Sequence, residues 1–382
     1  MIYFDNNATT EIAPEVFEAM KPFLTEFYGN ASSAYGFGRE SKRAIQSARE
    51  TIAELLGADD AGEIVFTSGG TESDNWAILG ALEKYADRKH IVTTRVEHEA
   101  VRKLCERLET KNFEITRLEV SADGFLDLDE LKSSVRADTA IVSVMLANNE
   151  TGVLFPVEAI AEIVRGNSDA LFHVDGVNAV GKIPIDLKRT EIDLFSASGH
   201  KFHAPKGVGA LYIKSGVDLP ALSIGGGQEN ARRAGTEAVH QIVGLGAAAE
   251  LVRDFSAMEK VRFLRDKLED GILRAVPNSK LNGTSDREKR LPNTANISFP
   301  NLNGELILAK LADAGVLVST GSACNAENHT ASAVLQAMDI RFADAMGAIR
   351  FSLGRYNTER EVDFVLEILP QIIEEASFYA ID

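Results

Sequence analysis

Short apolar segments alternate with helical segments between about residues 60 and 215, and this alternation limits most strongly what the chain can fold into. Helical periodicity falls between several of the apolar segments, notably at Glu72–Tyr85, Glu97–Leu108 and Val157–Val164. Such alternation predicts a mostly parallel sheet covered by helices on both faces, with ligands at the carboxyl ends of its strands. Seven strands are predicted, at Ile64–Thr67, Ile91–Thr94, Ile115–Val120, Ala140–Leu146, Leu171–Asp175, Asp193–Ala197 and Val208–Ile213.

Helices are predicted on both sides of this central block. Pro14 stands at a favoured first-turn position of one helix, and a second helix at Arg39–Leu56 ends at Gly57, a good C-terminal stop. After the block, helical periodicity runs from about Glu237 to Leu273. Two further helices and a strand follow, at Glu305–Ala314, Glu359–Glu375 and Ile349–Leu353.

The sequence therefore predicts an α/β protein with two domains. The large domain, residues 14–258, contains the mostly parallel sheet and its flanking helices. The two ends of the chain, residues 1–13 and 259–382, form a smaller α+β domain that carries Cys324. A chain of 382 residues has enough apolar surface for a sizeable core.

Composition limits the classes of partner. The chain has 40 basic and 57 acidic residues, a net charge of −17. Nucleic acid and anionic membranes both require basic patches, so we expect neither as a partner. The N-terminus shows no cationic leader, and the longest apolar stretch, around Ala140 to Ala147, is too short to span a bilayer. Two cysteines, Cys105 and Cys324, rule out a disulfide framework and lead us to expect a cytoplasmic protein.

A glycine-containing segment, Thr67-Ser68-Gly69-Gly70-Thr71-Glu72-Ser73, joins the end of a predicted strand to the start of a helix. Free N–H groups and the helix dipole make such a terminus a natural phosphate site. The alternative is an ordinary helix cap with Thr71 and Glu72 in capping roles. This segment alone does not decide between them.

Two other strand ends carry reactive side chains. Asp175 ends an apolar strand, where its carboxylate points into the ligand crevice and suits a protonated ring nitrogen; a turn or cap role is the alternative. Lys201 follows another apolar strand in Ser196-Ala197-Ser198-Gly199-His200-Lys201. Partial burial beside other cationic groups makes an amine fit for bonding to an aldehyde. A solvated surface lysine is the alternative reading, and Lys206 is the competing amine.

One ligand accounts for all three features. A phosphate cup, a carboxylate for a pyridinium nitrogen and an amine for an aldehyde are the three contacts that hold pyridoxal phosphate. The sequence therefore predicts a pyridoxal-phosphate enzyme, with no metal site.

Motifs along nearly the whole chain carry a family resemblance. The sequence closely resembles the cysteine desulfurases of the NifS/IscS group, which have the class V aminotransferase fold, the type I fold of pyridoxal-phosphate-dependent transferases. The motifs, in chain order, are Tyr3-Phe4-Asp5-Asn6-Asn7-Ala8-Thr9-Thr10, Gly70-Thr71-Glu72-Ser73, Glu97-His98, Asn148-Asn149-Glu150-Thr151-Gly152, His173-Val174-Asp175, Ser198-Gly199-His200-Lys201, Arg233-Ala234-Gly235-Thr236, Gly321-Ser322-Ala323-Cys324 and Ile349-Arg350-Phe351-Ser352-Leu353-Gly354.

The resemblance implies a set of cofactor contacts. Lys201 matches the lysine that bonds to the cofactor's aldehyde, and Asp175 matches the partner of the pyridine nitrogen. Asn149 and Asn178 match the residues beside the ring oxygen. The matches to the phosphate-binding residues are Gly70, Thr71, Ser198 and His200.

The resemblance also implies roles in catalysis and assembly. His98 matches an imidazole that stacks on the cofactor and transfers protons, and Arg350 matches the guanidinium that clamps the substrate carboxylate. Asn30 joins Arg350 as a substrate-binding residue. Thr236 matches a residue that reaches the phosphate in a neighbouring subunit, which implies a homodimer.

The two cysteines are expected to behave differently. Cys324 lies in a small, polar, glycine-containing stretch that suits an exposed loop, where a thiol is reachable. Cys105 shares a predicted helix with Val101, Leu104 and Leu108, whose spacing marks one apolar face. We therefore expect Cys324 to carry sulfur as a persulfide and Cys105 to pack in the core.

Several positions depart from the family pattern. A usual Asn-Pro-Ser-Ser run reads Asn30-Ala31-Ser32-Ser33 here, and a usual Pro-Ser-His run reads Ala331-Ser332-Ala333. The family's glutamine after the cofactor aspartate is Asn178. Asparagine is shorter by about 1.5 Å, so its bond to the cofactor oxygen needs a water or a shifted backbone. These departures bear on rate and substrate positioning.

Taken with these roles, the resemblance implies conversion of L-cysteine to L-alanine with transfer of sulfur to Cys324. A sulfur-acceptor protein, such as a scaffold for iron–sulfur cluster assembly, is the expected partner. Three alternatives stay open: a selenocysteine lyase, an aminotransferase of the same fold, and a catalytically weak partner in sulfur trafficking. The last two are disfavoured because Lys201, Asp175 and Cys324 occur together.

Overall fold

The computed structural model of the chain describes residues 1–320 and 331–378, so Cys324 lies outside the described residues. The helices and strands, in chain order, are β1 (Ile2–Tyr3), α1 (Pro14–Met20), α2 (Pro22–Thr25), α3 (Gly36–Leu56), β2 (Ile64–Thr67), α4 (Gly70–Lys84), β3 (His90–Thr94), α5 (Glu99–Glu109), β4 (Glu114–Leu118), α6 (Leu128–Ser134), β5 (Thr139–Met145), α7 (Val157–Asn167), β6 (Leu171–Asp175), β7 (Leu194–Ser198), β8 (Gly209–Ile213), α8 (Val239–Val252), α9 (Ser256–Ala275), β9 (Lys280–Leu281), β10 (Thr294–Ser298), α10 (Gly304–Asp313), β11 (Val316–Leu317), β12 (Ser319–Thr320), α11 (Ala333–Ala337), α12 (Phe342–Met346), β13 (Ala348–Ser352) and α13 (Glu359–Ser377).

The seven predicted strands form one sheet, in the order β2-β8-β7-β6-β5-β3-β4. Strand β8 runs antiparallel to both of its neighbours, and the other pairs are parallel. The prediction of a mostly parallel sheet is therefore confirmed. The antiparallel strand follows β7 directly, and the turn between them contains His200 and Lys201.

Alternating side chains of the strands face two apolar layers, as strand geometry requires. In β8, Leu211 packs with Cys105 of α5 and with α4, while its neighbour Tyr212 packs on the opposite face with α3 and α8. Helix α3 ends at Gly57, whose left-handed conformation (φ 61°) satisfies the stop that the sequence predicts. Helices cover both faces of the sheet, as predicted.

A second core lies under a small antiparallel sheet of order β12-β13-β10-β9. It packs the apolar faces of α9, α10 and α13 around Phe4, Phe299 and Phe351. Helices α11 and α12, although they lie late in the chain, contribute Val334 and Leu335 (α11) and Ala345 (α12) to the apolar layer that contains Tyr212 instead. The N-terminal strand β1 pairs with β11, so the two chain ends meet beside this second core.

The predicted helical stretch from Glu237 to Leu273 divides into two helices, which corrects the sequence-based expectation. The break falls at residues 253–255, where Asp254 accepts hydrogen bonds from the main-chain N–H and the hydroxyl of Ser256 (2.9 and 2.8 Å). The break lets α8 pack in the apolar layer that contains Tyr212 of the large sheet, while α9 packs in the second core. In the described part of the chain, no helix combines the length and apolarity needed to cross a membrane.

Candidate active site

A cavity of about 360 Å³ opens where the carboxyl ends of β6 and β7 meet the start of α4. The small sheet closes its other side through β13. Ten of the residues predicted at the site line this cavity: Gly70, Thr71, His98, Asn149, Asp175, Asn178, Ser198, His200, Lys201 and Arg350.

The start of α4 provides an anion-binding site. Gly69 has a φ of 150°, a conformation that side chains avoid, and a Cβ added to Gly70 would lie 2.6 Å from Val177 Cγ2. Among the described residues no side chain caps this 15-residue helix, although Glu72 accepts the N–H of Ser68 at 2.8 Å. Glu72 therefore bonds to the residue before the N-cap, Thr71 makes no capping bond among the described residues, and the helix terminus is able to bind a phosphate.

His200 contributes a neutral imidazole ring to this anion-binding site. Its Nδ1 lies 3.2 Å from the hydroxyl of Thr9. Burial, followed by the positive charge of Lys201, lowers the pKa of His200 to about 4. A neutral imidazole at neutral pH can donate one N–H to an anion without bringing a second charge.

Asp175 ends β6 at the floor of the cavity and is 6% exposed. Its Oδ1 accepts the N–H of Val177 at 2.9 Å. Burial raises the pKa of Asp175, while His98, the Val177 N–H and Lys201 act in the opposite direction. A buried carboxylate whose ionised form is disfavoured by burial suits a ligand that brings a protonated ring nitrogen.

His98 is the N-cap residue of α5 and also faces the cavity. Its Nδ1 accepts the N–H of Ala100 at 3.2 Å, so the ring proton of the neutral form sits on Nε2. Burial lowers the pKa of His98, and the charge of Lys201 acts in the same direction. The free Nε2 edge is therefore the end of the ring that can exchange a proton with a ligand.

Lys201 reaches the cavity from the turn after β7. Its Nζ donates to the main-chain oxygens of Asn7 (2.5 Å) and Ala8 (3.1 Å). Lys206 is not among the described residues that line this cavity; it is exposed beside a neighbouring groove with Thr71. The structure thus favours Lys201 over Lys206 as the reactive amine.

Arg350 lies on β13, with its side chain 7% exposed. Its Nη2 donates to Asp5 Oδ1 at 2.6 Å and its Nη1 to the main-chain oxygen of Asn149 at 3.2 Å. Within the described residues, the buried Nε has no hydrogen-bond partner. A buried guanidinium with an unused N–H beside a cavity suits a ligand carboxylate.

Three buried carboxyl groups at the cavity were not predicted: Asp74, Glu97 and Glu150. Burial, with the charge of Asp175 adding to it, raises the pKa of Asp74 well above its usual range and that of Glu97 to about 8. Burial raises the pKa of Glu150 to about 7. Glu97 and Glu150 belong to family motifs in the sequence, but nothing in their spacing indicated burial.

Two predicted residues lie elsewhere. Asn30 and Thr236 are exposed, and neither is among the described residues that line the cavity. Asn30 uses its Oδ1 to accept the N–H of Ser32 at 2.8 Å. Cys324 lies outside the described residues; Thr320 and Ser332, on either side of residues 321–330, both line the cavity.

Comparisons with known proteins agree on one family. The class-V aminotransferase family matches residues 2–365. A cysteine desulfurase of Trichormus azollae is 51% identical over 376 residues, which cover 98% of this chain and 93% of that protein. The cysteine desulfurase NifS of Azotobacter vinelandii is 48% identical, with the same coverage of 98% and 93%. The solved structure of a NifS-like protein has a TM-score of 0.91 at 40% identity, covering 98% of this chain and 99% of that one.

The sheet order, the strand-end cavity and these matches define a class-V aminotransferase, a family of pyridoxal-phosphate enzymes. Within that family the chain belongs to the cysteine desulfurases.

Proposed function

We propose that this protein binds pyridoxal phosphate at Lys201 and, as a cysteine desulfurase, converts L-cysteine to L-alanine while Cys324 receives the sulfur. One observation carries the proposal: Lys201, Asp175 and Arg350 line a single cavity of about 360 Å³. An amine, a ring-nitrogen partner and a carboxylate clamp are what an amino acid substrate of this cofactor requires.

The residues fit the cofactor. The terminus of α4 with Thr71, Ser198 and His200 would hold its phosphate, and Asp175 would hold the proton on its ring nitrogen. Asn149 and Asn178 would flank its ring oxygen. When bound, the cofactor supplies a sink for the electron pair left at the substrate's Cα.

The substrate is handled by groups of the protein itself. Arg350 binds the cysteine carboxylate through N–H groups that Asp5 and Asn149 leave unused. Lys201 takes the Cα proton, and Nε2 of His98 exchanges a proton with the substrate thiol. Breaking the Cβ–S bond and forming an S–S bond at Cys324 leaves alanine and a persulfide, so atoms and electrons balance without an added oxidant.

The proposal includes an assembly and a partner. Thr236 is exposed, as a residue that serves a second subunit would be, and we propose a homodimer in the cytoplasm. The persulfide sulfur passes to an acceptor protein, for which an iron–sulfur scaffold is the favoured candidate. The relationship to a NifS protein supports this choice.

The test is to incubate the purified protein with pyridoxal phosphate and L-cysteine and to quantify alanine and sulfide together. Equal amounts of both, in the presence of a thiol reductant, are expected. A parallel reaction with selenocysteine compares the lyase alternative, which is supported if kcat/KM for selenocysteine is far higher. Formation of a 2-oxo acid in place of alanine would instead establish an aminotransferase.

A further inference from the structure

Lys182 is a buried amine next to the cavity, and the mechanism above does not use it. The residue is 7% exposed and follows Asn178 by four positions. Its Nζ contacts three oxygens: Asn178 Oδ1 at 2.7 Å, the main-chain oxygen of Asn178 at 2.9 Å and Asn7 Oδ1 at 3.0 Å. Three oxygens match the three donors of an ammonium group.

These contacts determine how the carboxamide of Asn178 is oriented. Because Lys182 occupies its oxygen, the NH₂ group is the end that can donate to another group. In the described chain, that group reaches the main-chain oxygen of Asn148 only at 3.5 Å, the outer limit of a hydrogen bond. Asn178 itself lines the cavity, so its NH₂ group is available to an acceptor on a bound ligand.

The same amine joins Asn178 to the segment that holds Lys201. Asn7 Oδ1 accepts from Lys182 and from Asn293, while the main-chain oxygen of Asn7 accepts from Lys201. Lys182 therefore links Asn178, which lines the cavity, to Asn7, whose main-chain oxygen accepts a hydrogen bond from Lys201.

The electrostatic surroundings of Lys182 exclude a simple ion-pair role. In the described residues no carboxylate lies within 4.0 Å of its Nζ, and the charged groups that act on it are Lys201 and Arg350. Burial, with the positive charges of both, holds the pKa of Lys182 well below its usual range. Placing an amine there is unfavourable unless its hydrogen bonds serve a purpose.

We propose that Lys182 is a positioning residue that fixes the carboxamide of Asn178 with its NH₂ group toward the ring oxygen of pyridoxal phosphate. The inference rests on the proposed function, because it requires that cofactor in the cavity. It explains how Asn178, which is shorter than the glutamine of related enzymes, makes a directed contact: a second side chain holds it.

A double-mutant cycle tests this role through the cofactor's visible absorbance, without using turnover. The variants are Lys182→Met, Asn178→Ala and the two combined, with exposed Lys188→Met as the control for loss of one positive charge. The measurement is the pH midpoint of the absorbance change of the bound cofactor. Lys182→Leu, which also removes the donors, replaces the methionine variant if that one does not fold.

Lys182→Met and Asn178→Ala are each expected to shift the midpoint by about 0.5 pH unit or more, the scale of one hydrogen bond. The double variant should shift it no further than Asn178→Ala alone, because Lys182 acts through Asn178. Lys188→Met should leave it unchanged. Additive shifts, or a lower Tm in Lys182→Met with an unchanged midpoint, overturn the proposal. Absence of cofactor binding in the unmodified protein would instead refute the proposed function.

Discussion

Arg350 and Asp5 form an ion pair in which Nη2 of the arginine lies 2.6 Å from Oδ1 of the aspartate, although 345 positions separate them in the chain. Asp5 follows β1 and is bridged to Ser352, at the end of β13, so the pair forms where the two chain ends meet. The aspartate fixes one edge of the guanidinium, and Asp5 and Asn149 together use only two of its five N–H groups. This arrangement orients the clamp before substrate arrives.

Replacing Arg350 with lysine keeps the positive charge and loses the planar fork. We expect KM for cysteine to rise about 10- to 100-fold, the loss of one charge-assisted hydrogen bond, with a smaller change in kcat. Initial rates over a range of cysteine concentrations provide the measurement. Arg341→Lys, an exposed arginine paired with Asp344 on a neighbouring helix, is the matched control and should behave as the unmodified protein. An unchanged KM in Arg350→Lys would show that the clamp lies elsewhere.

The strands could be predicted because their signal is local. Strand β6 has the bounds predicted for it, Leu171–Asp175, since an apolar run ends there in a charged residue and a glycine. The break between α8 and α9 was missed because residues 253–255 contain neither glycine nor proline, although Asp254 is of a residue type that favours helix starts. It depends on tertiary packing, which places the two helices in different cores.

The site was predictable to the extent that motifs mark it. Lys201 and Asp175 stand at strand ends, where position alone indicates a ligand crevice. Asp5 was missed as the partner of Arg350 because 345 positions separate the two residues. Lys182 was missed because its contact with Asn7 spans 175 positions, although its contacts with Asn178 span only four. The roles of Asn30 and Thr236 were inferred from the family resemblance, and both residues are exposed in the single chain. Their roles stay predictions. The domain boundaries, 14–258 for the large domain and 1–13 with 259–382 for the small one, also stay predictions.

Lys201 is expected to hold the cofactor covalently, since it alone of the two candidate lysines faces the cavity described here. Lys201→Ala should lose the cofactor adduct that borohydride traps and should lose turnover, because no other amine replaces it. Peptide mapping by mass spectrometry locates the adduct in the unmodified protein. Lys206→Ala is the control and should keep the adduct; an adduct mapped to Lys206 contradicts the assignment.

Glu97 should make stability depend on pH. Its folded-state pKa is raised to about 8, whereas an unfolded glutamate titrates near about 4.3, so between these values the folded state binds more protons. The contribution of Glu97 to stability is therefore full below about pH 4.3 and is lost as pH rises toward about 8. Glu97→Gln, which resembles the protonated acid, should raise Tm relative to the unmodified protein by about 3 °C or more at pH 8.5, and by less at pH 6.

Thermal unfolding followed by circular dichroism at the two pH values checks this expectation. Glu83→Gln, on the exposed face of α4, is the matched control for replacing a glutamate with glutamine. Equal effects of Glu97→Gln at both pH values would show that Glu97 is ionised in the folded protein.

Cys324 and Cys105 provide a matched pair for the sulfur-transfer step, since the chain has two cysteines. Cys105 is fully buried between α4, α5 and the sheet, and burial raises its pKa to about 12, so it is a neutral, inaccessible thiol. Sulfur transfer requires a thiolate that the substrate can reach. The surroundings of Cys105 therefore exclude it from sulfur transfer and confirm the core position that the sequence predicts. Cys324 stays the proposed sulfur carrier.

Cys324→Ser replaces a nucleophile that is partly ionised near neutral pH with a hydroxyl that is not. The variant should bind pyridoxal phosphate and show the absorbance change on adding cysteine, because neither depends on this side chain. Release of alanine should fall by about 100-fold or more, roughly the contribution of a positioned nucleophile. Mass spectrometry of the intact protein should find one added sulfur on the unmodified chain after cysteine treatment and none on the variant.

Cys105→Ser should keep the added sulfur and lose about 1–3 kcal/mol of stability, because it buries a hydroxyl among apolar side chains. Sulfur found on Cys105, or full turnover in Cys324→Ser, would remove Cys324 from the mechanism.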